Sequence, residues 1–228
     1  MRSLLFTVPL ALVFASCDAT KGSGNKISEG REVGEFTAIV SDCAVDLSVE
    51  VGPERSVRVW ADDNLISMVK TTVSNGTLLV GIEGNYMTSG GLKANITVPK
   101  LKSLESDGSG DIVVESAHAD TFSVVVSGSG DVRLENLKTD SFTATLSGFG
   151  ELIAKGTADT VEAEVTGSGD LDAGLLLSKN ARVENSGSGD VTVNASKTLS
   201  VTISGSGDVS SIGEARVTSK ITGSGKME

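Results

Sequence analysis

Six carboxylates recur at one position of a glycine-rich turn, and their type and spacing could support metal chemistry. They are Asp111, Asp131, Glu151, Asp170, Asp190 and Asp208. Each one ends a Gly-x-Gly-acid pattern, and successive acids are 18 to 20 residues apart. Carboxylates held one strand spacing apart repel each other by about 1 kcal/mol in water. A bound calcium ion would offset this repulsion, because calcium prefers carboxylate oxygens as ligands.

The regularity of these acids also supports a purely structural role. An aspartate beside a tight turn accepts hydrogen bonds from backbone N–H groups and otherwise faces solvent. A catalytic site is usually one irregular place on a scaffold, whereas these acids occur once in every repeat. We therefore predict turn-forming acids, no catalytic residue and no cofactor. Calcium is the alternative, and its candidate ligands are Asp111, Asp131, Asp170, Asp190 and Asp208.

The repeat that carries the acids predicts a solenoid. Seven Gly-x-Gly turns recur with a period near 20 residues, and such a period is typical of stacked coils. Apolar residues occupy alternate positions before and after the turns, as in Phe122-Val124-Val126. Since side chains in a strand alternate between its two sides, one side of each segment is predicted to be buried. Two or three short strands per coil would fit this period.

The turn glycines fall on the same inward parity as those apolar residues. At the bend of a coil a Cβ atom would collide with the interior, or the backbone would need a positive φ, and glycine meets either requirement. Serine and acid side chains then point outward in rows, with coils about 4.8 Å apart. The predicted structural turn glycines are Gly108, Gly110, Gly128, Gly130, Gly148, Gly150, Gly167, Gly169, Gly187, Gly189, Gly205 and Gly207.

These features predict an all-β protein in which residues 101–228 form the repeat solenoid. Residues 31–100 lack the turn but alternate like strands, so we expect an irregular all-β N-terminal cap that is continuous with the solenoid. Within this cap, Asn75-Gly76 predicts a hairpin. Residues 61–70 predict one helical turn, at most a short helix, with Asp62 or Asp63 as its N-cap.

Residues 1–17 have the layout of a secretory signal peptide. Arg2 precedes an apolar run, and the segment ends in Ala-Ser-Cys at Cys17. This ending resembles the lipobox of bacterial lipoproteins, in which the cysteine is lipidated and becomes the first residue. We predict lipidation at Cys17, with an ordinary signal peptide and a chance cysteine as the alternative. Residues 18–30 are predicted to be a flexible tether between the anchor and the fold.

Charge and reactive residues exclude several functional classes. The formal net charge is −11 at pH 7, so the surface repels nucleic acid, and no nucleic acid partner is expected.

If Cys17 carries lipid, Cys43 has no disulfide partner and is predicted to be a small core residue. His118 is the one histidine of the sequence and is predicted to be exposed on a loop. Trp60 is predicted to belong to the core.

The chain resembles a bacterial family called the "putative autotransporter adhesin, head GIN domain". The likeness rests on residues 36–82, on the segment "ANITVPKLKSLESDGSGDIVV" over residues 94–114, and on the series of Gly-Ser-Gly-Asp turns. It covers roughly residues 32–225. The resemblance implies a right-handed parallel β-helix, here with coils of about 18–20 residues, often behind a lipoprotein signal. It assigns no catalytic residues. Phe149, Glu151 and Lys226 depart from the repeated turn.

Taken with the composition, the resemblance predicts a non-enzymatic, lipid-anchored protein of the cell envelope or surface, with an adhesin-like role. The predicted partners are the membrane, through lipid on Cys17, and a surface polysaccharide or another envelope protein. The alternative is a polysaccharide-acting enzyme, a lyase or hydrolase on a β-helix scaffold. An enzyme should bring several acids and a basic residue into one groove, whereas a binding module should show only rows along the axis.

Overall fold

The computed structural model describes residues 19–228, in which all regular secondary structure is β. The strands are β1 (Thr20–Lys21), β2 (Lys26–Gly30), β3 (Ala38–Ser41), β4 (Val45–Val51), β5 (Ser56–Asp62), β6 (Val69–Ser74), β7 (Thr77–Ile82), β8 (Tyr86–Met87), β9 (Leu92–Val98), β10 (Ser103–Ser106), β11 (Ile112–Val126), β12 (Val132–Leu146), β13 (Leu152–Val165), β14 (Leu171–Asn185), β15 (Val191–Ile203), β16 (Val209–Ser211) and β17 (Arg216–Ile221). Over this range no helix is long and apolar enough to cross a membrane. The predicted signal peptide and Cys17 lie outside the described residues.

Five long strands stacked in parallel form the centre of the molecule. β11 pairs with β12, β12 with β13, β13 with β14, and β14 with β15. Each strand has 13 to 15 residues and wraps around most of one coil. A coil therefore contains one bent strand rather than two or three short ones. The result is a β-solenoid of about six turns, which confirms the predicted all-β parallel β-helix.

Each coil of this solenoid contributes to two sheets, which meet at two edges. The post-turn sheet contains the residues that follow a Gly-x-Gly-acid turn, for example residues 132–135. The pre-turn sheet contains the residues that precede the next turn, for example residues 141–146. The turns themselves form the turn edge. The strands bend at the opposite, far edge, and there the register shifts, as it does between Leu134 and Leu137.

Inward-facing residues of successive coils stack into a continuous apolar core. Phe122 lies opposite Phe142 of the next coil, and Val124 lies opposite Ala144. All four are at most 1% exposed, and burying a large apolar side chain contributes about 1.5–3 kcal/mol. The backbone of each coil is meanwhile hydrogen-bonded to the coils on either side. The predicted inward parity of the repeat is therefore confirmed for these strands.

The N-terminal region extends the same stack and then closes it. β3 pairs in parallel with β10 and β4 with β11, while β7 and β9 form a further coil against β3 and β4. Antiparallel pairs cover this end, namely β6 with β7, β5 with β9, and β2 with β5. Asn75 and Gly76 join β6 to β7 with φ values of 51° and 76°. These left-handed values are those of a two-residue hairpin turn, so the predicted hairpin is present.

Residues 61–70 form the predicted helical turn but not a short helix. β5 continues to Asp62, residues 63–68 form turns, and β6 begins at Val69. The N–H of Ile66 donates to the carbonyl of Asp62 at 3.0 Å, so one helical turn forms. Six residues are too few for a helix to propagate. The carboxylates of Asp62 and Asp63 do not cap this turn, because both bind the N-terminal segment.

Residues 18–30, predicted to be a flexible tether, are largely part of the fold. β1 pairs in parallel with β8, and β2 pairs antiparallel with β5 over five residue pairs. Strand pairing replaces the water that a tether would need around its backbone. The chain is thus fixed to the cap from Thr20 onward.

Polar contacts hold this segment in place, and we call residues 20–26 with residues 62–64 the N-terminal latch. The Nζ of Lys26 lies 3.1 Å from the carboxylate of Asp62, whose side chain is 3% exposed. The Ser23 hydroxyl and the Asn25 amide donate to the Asp63 carboxylate at 2.5 and 2.9 Å. A buried carboxylate that loses its cationic partner is strongly destabilising. The latch is therefore a firm attachment.

At the opposite end, β17 is an exposed edge strand. It pairs with β15, and all six of its residues are exposed. Arg216 and Lys220 project from it away from the core side. Charged side chains on an edge strand oppose pairing with another chain.

Candidate functional surface

The turn edge is built from glycines that stack directly on one another. A Cβ atom added to Gly130 would lie well under 3.0 Å from the carbonyl oxygen of Gly110, a separation that real Cβ atoms essentially never show. Gly128 has the same relation to the oxygen of Gly108. Only glycine lets successive turns approach to the strand spacing of about 4.8 Å. The same collision with backbone oxygen would occur at Gly148, Gly150, Gly167, Gly169, Gly187, Gly189, Gly205 and Gly207.

These positions require glycine because successive turns approach each other closely, and not because their backbone is left-handed. The described glycines with positive φ are Gly24, Gly76, Gly84, Gly91 and Gly156, and none of them belongs to a Gly-x-Gly turn. The missing side chain would meet the backbone of the preceding coil rather than the apolar interior. A Cβ atom at these positions would therefore collide, as the sequence predicted, but with the coil stacked beside it rather than with the interior of its own coil.

The acids of the turn edge form a hydrogen-bonded ladder. The Asp111 carboxylate accepts the backbone N–H of Asp131 at 3.0 Å, and the Asp131 carboxylate accepts the N–H of Glu151 at 3.0 Å. Each aspartate thereby caps the N–H of the acid in the next coil. This explains why one acid recurs in every coil at one offset. The same bond, at 2.8 Å, joins Asp170 to Asp190 and Asp190 to Asp208.

The start, the gap and the end of the ladder follow from the same geometry. Asp46 begins it by accepting the N–H of Asp111 at 3.3 Å. The sequence did not reveal Asp46, because its turn lacks the Gly-x-Gly pattern. Within residues 19–228 the bond is absent between Glu151 and the N–H of Asp170, since a glutamate carboxylate lies one methylene further from its backbone. Lys226 donates its N–H to Asp208 at 2.7 Å, and position 226 has no further acid N–H to cap in the described chain.

The ladder competes with the calcium alternative. One oxygen of each bonded aspartate already faces an N–H of the next coil, which lowers its capacity to bind a cation. No three of the described His, Cys, Asp and Glu side chains form a group that could hold a metal ion. That these acids bind no cofactor stays a prediction, with calcium at the five candidate aspartates as the alternative, and the test is given below.

Serine hydroxyls flank the acid ladder on the turn edge. The outward residue between the two turn glycines is serine in six turns and Phe149 in the third. Phe149 is 78% exposed. A single exposed apolar side chain is unremarkable on an ordinary surface. Here, however, it interrupts a row whose other members are small and polar. It therefore marks one place along an otherwise uniform edge.

A shallow groove of about 150 Å³ lies on the pre-turn sheet, close in sequence to the Phe149 turn. Glu162 and Glu164 of β13 line it with Arg182 and Glu184 of β14 and with Thr145 of β12. Pockets that enclose a small ligand usually measure about 300–1,000 Å³, so this groove suits contact with part of a larger molecule. No motif in the sequence pointed to it. The available signal was the charge at outward positions where neighbouring coils carry serine or threonine.

The charge pairs of this groove are partly internal. Arg182 forms an ion pair with Glu184, and it lies opposite Glu162 in the strand pairing. Glu164 lies opposite Glu184, which brings two like charges to neighbouring strands. The groove is thus acidic overall, and it suits a ligand that supplies hydroxyl or cationic donors.

The turn edge and the acidic groove do not include Cys43, His118 or Trp60. Cys43 is buried, as predicted, and its thiol donates to the carbonyl of Val80 at 3.4 Å. Burial raises the pKa of the Cys43 thiol, which disfavours the reactive thiolate. His118 is exposed at the far edge but lies in β11 rather than in a loop. Trp60 is half-buried on β5 rather than in the core.

Comparison with known proteins gives both a family match and shared folds. A family model described as "Putative auto-transporter adhesin, head GIN domain" matches residues 35–215. A crystal structure described as a "putative adhesin" from Bacteroides fragilis has a TM-score of 0.87 and 22% identity, covering 92% of this chain and 99% of the other. One described as a "Putative lipid binding protein" from Parabacteroides distasonis has a TM-score of 0.77 and 22% identity, covering 92% and 100%. These likenesses establish the fold. No curated protein sequence matches the chain.

Proposed function

This chain belongs to the family described as "Putative auto-transporter adhesin, head GIN domain", and we propose that it is a non-enzymatic, lipid-anchored, adhesin-like protein of the bacterial cell envelope. Family membership supports a surface or envelope location. The signal-like segment over residues 1–17 supports export, and its cysteine supports lipid attachment. In this proposal the solenoid is a rigid platform that presents one face to a partner.

The binding role is proposed from one observation, namely that the departures from the repeat are concentrated in one part of the solenoid. Phe149 and Glu151 depart from the pattern in one turn, and Glu162, Glu164 and Arg182 replace small polar residues on the adjoining strands. All five lie in or between β12, β13 and β14. An exposed aromatic ring beside carboxylates and hydroxyls suits a sugar chain, which offers apolar ring faces and many hydroxyl donors. A surface polysaccharide is therefore the proposed ligand.

Phe149→Ser tests this role, because serine is the residue of the other turns. Residues 19–228 would be immobilised and exposed to envelope polysaccharide and, separately, to envelope proteins. Truncating an anchor of this kind usually costs more than 1–2 kcal/mol, or roughly tenfold in affinity. Ser129→Ala, one coil away, is the matched control and should bind as the wild type does. Equal polysaccharide binding by all three would refute the Phe149 site, and capture of protein alone would favour an envelope-protein ligand.

The anchor has its own test. Cys17→Ser should move the full-length protein from the membrane fraction to the soluble fraction, because a thioether-linked lipid cannot form on serine. Mass spectrometry of the wild type should show the lipid on Cys17. Unchanged membrane association of the variant would contradict the lipid anchor, and it would leave the proposed binding surface unaffected.

A polysaccharide-acting enzyme is the second candidate, and the acidic groove favours it. Glu164 and Glu184 lie on neighbouring strands, and carboxylates about 5 Å apart serve as nucleophile and acid in retaining glycosidases. Glu164→Gln keeps the shape of the side chain and removes its charge. Release of new chain ends from the bound polysaccharide by wild type, abolished in Glu164→Gln, would replace the non-enzymatic proposal.

A further inference from the structure

The chain between the predicted lipid and the fold is very short. Cys17 is three residues from Thr20, where β1 begins. Three residues span at most about 10 Å when fully extended. A lipid on Cys17 would therefore keep Thr20 within about that distance of the bilayer surface.

Described contacts fix the start of the fold at this point. Thr20 pairs with Tyr86, and Lys21 with Met87, in the β1–β8 sheet. The Asn64 amide donates to the carbonyl of Lys21 at 2.8 Å and accepts the N–H of Ser23 at 2.9 Å. Together with the ion pair between Lys26 and the buried Asp62, these bonds leave the N-terminal latch little freedom to extend away from the cap.

The surface around this attachment has the character of a membrane-contacting patch. Lys21 and Met87 are neighbours in register, both are exposed, and Met87 is 61% exposed. A lysine places its charge among lipid headgroups while an apolar neighbour enters the interface below them. The net charge of −11 makes close contact of the remaining surface with anionic lipid unfavourable. The patch and the anchor thus occupy the same corner.

We infer that the β1–β8 corner, with Lys21 and Met87, lies against the lipid bilayer, and that the solenoid stands on its N-terminal cap. The inference rests on the proposed lipid anchor at Cys17. Seven strand steps separate β9 from β16, which places the last coil about 34 Å further from the bilayer. The turn of Phe149 lies between β12 and β13, roughly 15–20 Å along the stack. The proposed ligand surface is thereby held clear of the headgroups.

Site-specific fluorescence in vesicles tests this orientation. The full chain with Cys17 lipidated would carry Cys43→Ala, so that one new cysteine takes the fluorophore. Met87→Cys places it at the corner, and Thr218→Cys places it on β17. Vesicles of phosphatidylcholine with a headgroup spin label supply the quencher. We expect quenching at position 87 to exceed that at position 218 about fivefold or more, because about 34 Å of stacked coils separate the two ends.

A longer connection supplies the control. Inserting about 20 Gly and Ser residues after Asp18 gives a flexible link with a root-mean-square length of about 25 Å. Quenching at position 87 should then fall severalfold while the protein stays in the vesicle fraction. Circular dichroism of each variant confirms that it has folded.

Three results would overturn the inference. Equal quenching at both positions would mean that the solenoid lies flat, and the absence of quenching at both would mean that the corner stands off the bilayer. In either case mass spectrometry showing lipid on Cys17 leaves the proposed anchor intact. Absence of that lipid refutes the anchor itself and the orientation with it.

Discussion

Gly130→Ala tests whether close packing along the stack is what requires glycine in this turn. Where a glycine has ordinary φ and free space, alanine stabilises by about 0.4–1 kcal/mol, because it restricts the unfolded chain. At Gly130 the φ is ordinary, but the added Cβ would press on the carbonyl oxygen of Gly110. The two coils would have to separate there. A crowded site and an open site therefore predict opposite signs for the change in stability.

The magnitude follows from the contacts that separation would weaken. Overpacking costs about 1–3 kcal/mol. The neighbouring bond from Ser129 N–H to the Gly108 carbonyl, 2.9 Å long, would lengthen, and a hydrogen bond of this kind contributes about 0.5–1.5 kcal/mol. We expect a loss of about 2–4 kcal/mol in the free energy of unfolding. For a domain of this size that lowers Tm by roughly 4–16 °C.

Thermal and urea unfolding of residues 19–228 would measure this loss. Gly30→Ala is the matched control, because no atom lies within 4 Å of a Cβ built at Gly30 and its φ is not left-handed. That variant should be as stable as the wild type or slightly more so. Ser129→Ala, in the same turn as Gly130 but pointing outward, should also be nearly neutral. A Tm for Gly130→Ala at or above the wild-type value would refute the stacking explanation.

The remaining predictions concern carboxylates. Asp131→Ala should cost about 1–2 kcal/mol in unfolding experiments, because the N–H of Glu151 loses its acceptor, whereas Asp131→Asn keeps an acceptor oxygen and should cost less. Glu151→Asp should supply the missing acceptor for the N–H of Asp170 and raise stability by about 0.5–1.5 kcal/mol, and an unchanged Tm would contradict the ladder geometry. Calcium at millimolar concentration should leave Tm where chelator leaves it. A rise of about 2.7 kcal/mol at a hundredfold excess over Kd, abolished by Asp131→Asn with Asp170→Asn, would establish a metal-binding edge. Burial desolvates Asp62 and raises its pKa, but the hydrogen bonds from Lys26, Thr88 and the Gly24 backbone, together with the charge of Lys26, outweigh this effect and hold the pKa of Asp62 below its ordinary value of 3.8. Its contribution to stability is thus present above that value and lost as pH falls through the lower folded pKa, so Asp62→Asn should flatten acid unfolding curves in that range.

Repetition made the solenoid predictable from sequence. The alternation around Phe122 and Phe142 recurs in several coils, so each copy supports the same inward face. Single-copy features carried no such support. The latch depends on Lys26 and Asp62, which are far apart in sequence and meet only because β2 pairs with β5. Without that pairing, the acids at 62 and 63 looked like a helix cap, and residues 18–30 looked like a tether.

The role of the acids was predictable only in part. An aspartate after a tight turn suggests a bond to backbone N–H, but the sequence pointed to the acid's own turn. The bonded N–H belongs to the next coil, as in the pair of Asp111 and Asp131. That partner becomes visible only when the coils are stacked in register. The same stacking brings Glu162 and Arg182 together on neighbouring strands, which no motif in the sequence announces.

The third turn has two features that the structure alone does not favour. Glu151 leaves the N–H of Asp170 without the carboxylate that other coils supply, and Phe149 exposes an aromatic ring where serine would be soluble and equally well accommodated. Both departures occur in one turn, and the charged groove occupies the adjoining strands. In a fold that otherwise repeats one consistent local solution, such conflicts are expected where a residue serves a partner rather than the fold. The regular coils therefore account for the stability of the solenoid, and the irregular turn is where we expect its specificity for a ligand to lie.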